Sequence, residues 1–179
     1  MRADDDLAGR CASIEVVVVD VDGVLTDGGI AFDDRGIETK HFHVRDGSAF
    51  TFWRALGKRA AILSGRWAPV VNRRAAELGI TPVIQGASEK GGAFRALIAE
   101  LGVEARQVCF VGDDLADLPV LGAVGLAACP ADAAPEVRLG AHLVTTADGG
   151  RGAVREVVET ILKHQGSWDG LVGRYRTPA

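Results

Sequence analysis

The chain has 179 residues, 47% of them hydrophobic, which suits one domain with a sizeable core. Its formal net charge of -4 comes from interspersed acidic and basic residues, so neither nucleic acid nor an anionic membrane surface is an expected partner. No run approaches the roughly 18 apolar residues of a membrane span, and the polar N-terminus is no signal peptide, so we expect a cytoplasmic protein. Cys11, Cys109 and Cys129 are widely scattered, which predicts reduced, mostly structural thiols.

Apolar runs of strand length alternate along the chain with segments of helical periodicity. The predicted strands are Ile14–Val19, Ala60–Leu63, Pro82–Gln85, Val108–Val111, Gly125–Ala128 and His142–Val144. The predicted helices are Ser48–Leu56, Pro69–Leu78, Lys90–Leu101, Asp114–Leu121, Ala133–Leu139 and Arg151–Gln165. This alternation predicts a doubly wound α/β fold around a parallel sheet. Among the helix ends, Pro69 suits a first turn, Ser88 suits a cap, and Gly79 and Gly102 suit stops.

One segment departs from the alternation. Between Gly28 and Val44, two short apolar stretches flank Asp33-Asp34-Arg35-Gly36, which predicts a β-hairpin inserted after the first strand. We therefore expect a single domain over residues 1–179, with its core at about 14–166, the hairpin at about 28–44 and a short irregular tail at 167–179.

Two aspartates follow the first predicted strand. Side chains in a strand alternate between faces, so Asp20 and Asp22 lean the same way. Ionised groups at the end of an apolar strand are costly unless a cation or a catalytic task keeps them there, and Mg²⁺ prefers such oxygen ligands. The alternative is that both residues simply begin a solvated turn with Gly23.

Other polar groups follow the later strands, and in a parallel sheet these ends share one edge. They are Ser64-Gly65-Arg66, Lys90, and Gly112-Asp113-Asp114 with Asp117. Two acidic clusters, a hydroxyl and a lysine are what phosphoryl transfer with a metal needs. Taken singly, each has a plainer interpretation: a helix cap for Ser64, a solvated lysine for Lys90, and capping acids for the aspartates.

The chain resembles the haloacid dehalogenase superfamily of phosphotransferases. The residues that carry this resemblance are Asp20-x-Asp22-Gly-Val, Ser64, Lys90 and Gly112-Asp113-Asp114. More narrowly, it is similar to the small phosphatases without a cap domain that act on 3-deoxy-D-manno-octulosonate 8-phosphate. The narrower likeness is carried by Asp20-Val-Asp-Gly-Val-Leu-Thr-Asp-Gly28, Val44-Arg-Asp-Gly47, Gln85-Gly86, Gly112-Asp-Asp-Leu-Ala-Asp117 and Gly149-Gly-Arg-Gly-Ala-Val-Arg-Glu156.

The resemblance implies a role for each motif residue. Asp20 would be the nucleophile that forms an aspartyl-phosphate, and Asp22 the general acid and then base. Ser64 and Lys90 would hold phosphoryl oxygens. The Asp20 carboxylate, the Asp22 backbone carbonyl and Asp113 would bind Mg²⁺, with Asp114 and Asp117 supporting that shell.

The expected substrate is a sugar-acid phosphate, and arginine is the residue that binds a carboxylate through two parallel hydrogen bonds. The candidate substrate-binding residues are Arg45, Asp46, Gly47, Gly65, Arg66, Arg74 and Arg151. In the resembling family the subunits close each other's sites, so we expect a homotetramer in which the hairpin and the C-terminal segment contribute to neighbouring active sites. The apolar hairpin residues Ile30, Phe32, Phe42 and Val44 favour such assembly independently.

The chain departs from the family pattern at Ala49, where glycine is usual, and at Gly91-Gly92, where an apolar pair is usual. Three alternatives stay open. One is a phosphatase for a nine-carbon sugar acid, although Arg66 favours the eight-carbon acid. Another is a non-catalytic assembly domain like that of acylneuraminate cytidylyltransferases. The third is a phospho-acceptor signalling module, which the order of the motifs disfavours.

Overall fold

A computed structural model describes residues 3–176, and side-chain surroundings from Leu7 onward. The strands are β1 (Val16–Val19), β2 (Ala31–Phe32), β3 (Glu38–Thr39), β4 (Arg59–Leu63), β5 (Val83–Ile84), β6 (Val108–Val111), β7 (Leu126–Cys129) and β8 (Leu143–Val144). The α-helices are α1 (Ala3–Ala12), α2 (Val44–Ala55), α3 (Pro69–Leu78), α4 (Lys90–Leu101), α5 (Leu118–Leu121), α6 (Pro135–Gly140), α7 (Ala153–His164) and α8 (Trp168–Arg176). Short 3₁₀ helices span Ala105–Gln107 and Leu115–Asp117.

Six strands form one parallel sheet in the order β5-β4-β1-β6-β7-β8. Strand β1 lies between β4 and β6, with Val16 opposite Arg59 on one side and Val108 on the other. Its four valines are fully buried: Val17 and Val19 face one core cluster, and the other two face the second cluster. This explains the unbroken apolar run, because a strand covered on both faces shows no alternation of polar residues.

Helices cover both faces of the sheet, which confirms the predicted doubly wound α/β fold. Helices α1, α2, α3, α7 and α8 pack on one face, and α4, α5 and α6 on the other. The hairpin β2–β3 pairs Ala31 with Thr39 and stands apart from the sheet. No cap domain covers the strand ends within residues 3–176.

The hairpin is shorter than predicted. Val44, expected in its second strand, is instead the first residue of α2. The reason is a long-range contact: the Asp46 carboxylate accepts hydrogen bonds from the backbone N–H groups of Gly152 (3.0 Å) and Arg155 (2.9 Å). Those bonds fix the first turn of α2 against the start of α7 and override the strand preference of a β-branched residue.

The prediction of an irregular tail is wrong, because residues 168–176 form helix α8. Trp168 meets Phe52 edge-on, with ring centroids 6.0 Å apart, and the Arg155 guanidinium lies over both rings. Leu171 is 3% exposed. Tertiary packing of these side chains therefore supplies what the glycine-containing sequence lacks in helix propensity. Residues 177–179 of the predicted tail lie outside the described part of the chain.

The predicted cap of α4 is also wrong by one residue. Glu89, not Ser88, is the N-cap, and its carboxylate accepts a hydrogen bond from Gly92 N (2.6 Å). A Cβ on Gly91 would lie 2.8 Å from Glu89 Oε1, so the glycine pair leaves room for this carboxylate. The predicted stops at Gly79 and Gly102 are confirmed, since both residues are left-handed C-caps with φ of 64°.

All three cysteines are buried free thiols, as predicted. Burial raises the pKa of Cys11 to about 11, which keeps this thiol protonated at neutral pH. No helix within residues 3–176 is both long and apolar enough to cross a membrane.

Candidate active site

The predicted polar groups meet in a cleft of about 290 Å³ at the carboxyl end of β1. This is the switch point of the sheet, because the chain leaves β1 for β4 on one side and later crosses to β6 on the other. The lining residues are Asp20, Asp22, Gly23, Gly28, Ser64, Gly65, Arg66, Lys90, Asp113, Asp114, Ala116 and Asp117.

A larger cleft, of about 470 Å³, is lined by a different set of residues, which includes Arg54, Arg59 and Glu100. Two of its arginines are committed to helix ends: Arg54 donates to Leu78 O and Arg59 donates to Leu101 O, each at 2.8 Å. The smaller cleft is therefore the candidate active site, because five aspartates and Lys90 line it.

Lys90 links two buried carboxylates. Its Nζ donates to Asp20 Oδ2 and to Asp117 Oδ1, both at 2.6 Å. Asp20 is further held by the backbone N–H of Val21, which donates to Oδ1 (2.6 Å). Although Lys90 is the first residue of α4, where a cation is disfavoured, these carboxylates compensate for the helix dipole. The lysine thus fixes Asp20 at the end of β1.

Asp117 is committed to holding its neighbours. While Oδ1 accepts from Lys90, Oδ2 accepts from the backbone N–H groups of Asp113 (2.9 Å) and Asp114 (3.3 Å). A Cβ on Gly112 would lie 2.6 Å from Asp117 Cβ, so the strand end needs glycine there. Asp117 therefore shapes the loop after β6.

The acidic cluster carries more negative charge than Lys90 alone can offset. Burial, followed by the charges of Asp20 and Asp117, raises the pKa of Asp113 to about 7. Burial also raises the pKa of Asp20, against the opposing effect of Lys90. Burial lowers the pKa of Lys90, but Asp20 and Asp117 outweigh it and the net shift is upward.

These carboxylates suit a divalent cation. Asp20, Asp113 and Asp117 each offer an oxygen atom, all within 4.8 Å of one another. Asp117 accepts three hydrogen bonds and Asp20 accepts two, so Asp117 is the more heavily committed of the two and the poorer metal ligand. Two carboxylates with further oxygen ligands are typical of Mg²⁺ sites.

Asp22 belongs to a second charged group that sequence reasoning missed. The Lys40 ammonium forms an ion pair with Asp22 Oδ1 and a second one with Glu38 Oε1 (2.8 Å). Glu38 Oε2 accepts a hydrogen bond from Arg66 Nη2 (3.0 Å). The available signal was the spacing of Glu38 and Lys40, which places both side chains on the same face of an extended segment.

Ser64 and Gly65 follow β4 at the opposite wall. Ser64 is 3% exposed, and its backbone is held by Ile84 O (2.9 Å) and by Ala87 N, which donates to Ser64 O (3.0 Å). A Cβ on Gly65 would lie 3.7 Å from Lys90 Cε, an ordinary contact distance, so Gly65 is a direct neighbour of the Lys90 side chain. Arg66 Nη1 is buried and finds no hydrogen-bond acceptor among residues 3–176.

Several candidate substrate-binding residues do not line this cleft. Asp46 is 1% exposed and caps α7 through Gly152 and Arg155, so its carboxylate is already engaged. Arg45 lines a separate groove, of about 330 Å³, beside α7. Arg151 shares that groove and pairs with Asp27 at 3.1 Å.

The other two candidates lie between α2 and α3. A Cβ on Gly47 would overlap the Arg74 guanidinium and lie 3.1 Å from Leu78 Cδ2. Arg74 pairs with Glu77 at 3.2 Å and lies over the Phe42 ring. Within one subunit, Gly47 and Arg74 therefore serve helix packing. The divergent Ala49 is fully buried in the core rather than exposed in the cleft.

The sheet and the carboxylate–lysine cluster at its switch point are those of a haloacid dehalogenase-like hydrolase. The family model of that description matches residues 39–125. The 3-deoxy-D-manno-octulosonate 8-phosphate phosphatase KdsC of Yersinia pestis is 44% identical over 169 residues, covering 94% of this chain and 90% of that protein. The chain belongs to this family of hydrolases.

Solved structures agree. The crystal structure of the Y. pestis phosphatase matches with a TM-score of 0.90 at 44% identity, covering 93% of this chain and 90% of that one. The phosphatase of Moraxella catarrhalis, solved with magnesium, phosphate and KDO, matches with a TM-score of 0.94 at 37% identity, covering 96% and 99% of the two chains.

Proposed function

We propose that this protein is a Mg²⁺-dependent phosphomonoesterase that hydrolyses 3-deoxy-D-manno-octulosonate 8-phosphate to the free sugar acid and phosphate. The observation that carries the chemistry is Asp20, buried at the end of β1 and held by Lys90 at 2.6 Å, with a second carboxylate two residues later. The relatives of known name supply the substrate.

Asp20 is the proposed nucleophile. Its carboxylate oxygen attacks phosphorus, the bond from phosphorus to the sugar oxygen breaks, and Asp22 protonates the departing oxygen. Asp22 then removes a proton from a water molecule, which attacks phosphorus and releases phosphate, returning Asp20 to a carboxylate. These two steps need a nucleophile held in place and an acid that the leaving oxygen and water can reach. The Asp20 side chain is 10% exposed and the Asp22 side chain is 19% exposed.

The remaining cleft residues stabilise charge on the phosphoryl group. Lys90 and the Ser64 hydroxyl lie where they can donate to its oxygens. The Asp20 carboxylate, the Asp22 backbone carbonyl and Asp113 would hold Mg²⁺, which supplies positive charge to neutralise the phosphoryl oxygens. Asp117, and Asp114 through its backbone N–H, support this set.

Arg66 is the candidate for recognising the sugar-acid carboxylate. It is the one candidate arginine that lines the cleft within the described chain, and its side chain is 40% exposed. Arg45 and Arg151, which lie outside the cleft, would act on a neighbouring subunit's substrate in the proposed homotetramer. The hairpin and the C-terminal segment would complete such shared sites.

The alternatives fit less well. A non-catalytic assembly domain has no physical need to bury Asp20, Lys90 and Asp117 together. A phospho-acceptor module would have its acceptor on a later strand than β1. A nine-carbon sugar-acid phosphate would use the same chemistry, and a substrate assay separates it from the eight-carbon one. The buried free thiols fit the expected cytoplasmic location.

The test is phosphate release by the purified protein with Mg²⁺. The substrates are 3-deoxy-D-manno-octulosonate 8-phosphate, a nine-carbon sugar-acid 9-phosphate and simple sugar phosphates. We expect preference for the first, and loss of at least about 1000-fold in kcat for Asp20→Asn, since an amide is a poor nucleophile. Absence of phosphate release from every substrate, or full activity of Asp20→Asn, would refute the proposal.

A further inference from the structure

Each aspartate of the catalytic pair has its own buried lysine. Two lysines are buried within residues 7–176: Lys90, which is 5% exposed, and Lys40, which is 8% exposed. Lys90 pairs with Asp20, and Lys40 pairs with Asp22. The motif resemblance accounts for Lys90 but gives no role to Lys40, which comes from the hairpin insertion rather than from a strand of the sheet.

The hairpin reaches the cleft through one edge. Glu38 lies in β3, and Lys40 follows it two residues later on the same face. Lys40 Nζ lies 2.8 Å from Glu38 Oε1, and Arg66 Nη2 donates to Glu38 Oε2 at 3.0 Å. Arg66 Nη1 lies 3.9 Å from Asp22 Oδ2, which closes a ring of four charged groups.

The ring connects two functions of the cleft. Asp22 is the proposed acid at the leaving oxygen, and Arg66 is the proposed contact to the sugar acid. Lys40 pairs with Asp22 Oδ1, so Oδ2 is left as the oxygen that can carry the transferred proton. Glu38 holds one nitrogen of the Arg66 guanidinium and leaves Nη1 without an acceptor in the described chain.

A buried ammonium is costly unless well paired, and most hairpin charges avoid that cost. Arg35 and Asp33 pair at 2.8 Å at the hairpin turn, where the Arg35 side chain is 78% exposed. The Lys40 side chain is 1% exposed. The hairpin therefore buries a cation only where it meets Asp22.

We propose that Lys40 and Glu38 are positioning residues for the phosphatase reaction: Lys40 fixes the carboxylate of Asp22 beside the leaving oxygen, and Glu38 fixes the guanidinium of Arg66. The inference rests on the proposed function. It gives the hairpin a catalytic task within its own subunit, in addition to any part in assembly.

If Lys40 and Glu38 only held the hairpin against the core, their replacement would have a different effect. Losing such a contact would impair all substrates alike. Loss of a residue that positions the acid lowers the rate most for the leaving groups that most need a proton. A sugar alkoxide needs one, whereas p-nitrophenolate leaves readily without one. The two leaving groups therefore separate the two roles.

The test compares Lys40→Met, which keeps length but removes charge, with the control Arg35→Met in the same hairpin. For the sugar-acid phosphate we expect Lys40→Met to lower kcat about 30-fold with KM within about twofold. For p-nitrophenyl phosphate we expect kcat/KM to fall less than about threefold. Arg35→Met should leave both substrates within about twofold.

A second variant covers the possibility that Lys40→Met disturbs the hairpin. Glu38→Gln keeps the shape of the side chain but frees Arg66 from a charged partner. We expect KM for the sugar-acid phosphate to rise about fivefold with kcat little changed, and p-nitrophenyl phosphate hydrolysis to be unaffected. Circular dichroism and thermal unfolding of each variant establish that it is folded.

Equal losses of Lys40→Met on both substrates, or a rise in KM at unchanged kcat, would overturn the role of Lys40. An unchanged KM in Glu38→Gln would overturn that of Glu38. If the variants give these contradicting results while the wild-type protein hydrolyses the sugar-acid phosphate, the positioning roles are refuted and the proposed function stands. If the wild-type protein hydrolyses neither substrate, the proposed function fails and this inference fails with it.

Discussion

The Asp113 carboxylate occupies the space that a Cβ atom on Gly23 would take. Gly23 also has a φ of +82°, a backbone conformation that favours glycine. The loops after β1 and β6 therefore approach so closely that a side chain on one loop would displace a proposed metal ligand on the other. The position of Asp113 therefore depends on the lack of a side chain at Gly23 as much as on strand β6, which precedes Asp113.

We expect Gly23→Ala to weaken Mg²⁺ binding at least about tenfold, because Asp113 must move to admit the methyl group. The matched control is Gly36→Ala, which has a similar φ of +74° but no atom within 4 Å of the added Cβ. Both variants carry a backbone cost of about 1 kcal/mol, so only the first should lose metal affinity. Isothermal titration with Mg²⁺ measures the difference, and equal affinities would contradict this account.

The strand-end residues could be predicted because their positions follow from local pattern. A buried strand such as β1 is visible as an apolar run, and the edge at which Asp20, Lys90 and Asp113 meet follows from parallel pairing. All six strands of the sheet overlap their predicted ranges. The charges needed for phosphoryl transfer were thus accessible to sequence reasoning.

Other features depend on contacts between distant segments. The pairing of Lys40 with Asp22 requires knowing how the hairpin folds back, and the capping of α7 by Asp46 joins residues more than 100 positions apart in sequence. Helix α8 exists because Trp168 and Leu171 find a surface on other helices. Periodicity and spacing carry no information on such docking.

Magnesium should stabilise the protein more at alkaline than at acidic pH. Without metal, Asp113 has a pKa of about 7 against an ordinary 3.8, so between these values the folded protein binds more protons than the unfolded chain. This group therefore makes the metal-free protein less stable as pH rises through that window. Mg²⁺ binds the ionised carboxylate and removes the penalty.

The measurement is thermal unfolding with and without Mg²⁺ at about pH 5.5 and about pH 8. We expect a larger rise in Tm at the higher pH, and Asp113→Asn should largely abolish the pH dependence. An equal rise at both values in the wild-type protein would show that ionisation of Asp113 is not linked to metal binding.

Asp46 should prove a stability residue. Asp46→Ala removes the acceptor for two N–H groups at the start of α7, so we expect a loss of about 2 kcal/mol in the free energy of unfolding. Urea unfolding measures it, with the exposed Asp34→Ala as control. Because Asp46 lies outside the cleft, kcat and KM should stay within about threefold of wild type. A large rise in KM at unchanged stability would instead support a role in substrate binding.

The hairpin surface provides a test of the proposed homotetramer. Ile30, Phe32 and Ile37 are each more than half exposed, and three such side chains on one short hairpin form an apolar patch that a monomer would leave in water. Burying it between subunits would be favourable by about 25 cal/mol per Å² of apolar surface. Phe32→Asp places a charge in that interface, and we expect it to dissociate the tetramer in light scattering at micromolar concentration. Leu139 is 88% exposed on helix α6, against 62% for Phe32, so Leu139→Asp replaces an even more exposed apolar side chain without touching the hairpin and should leave the mass unchanged. A tetramer that survives Phe32→Asp would mean that the subunits associate through another surface.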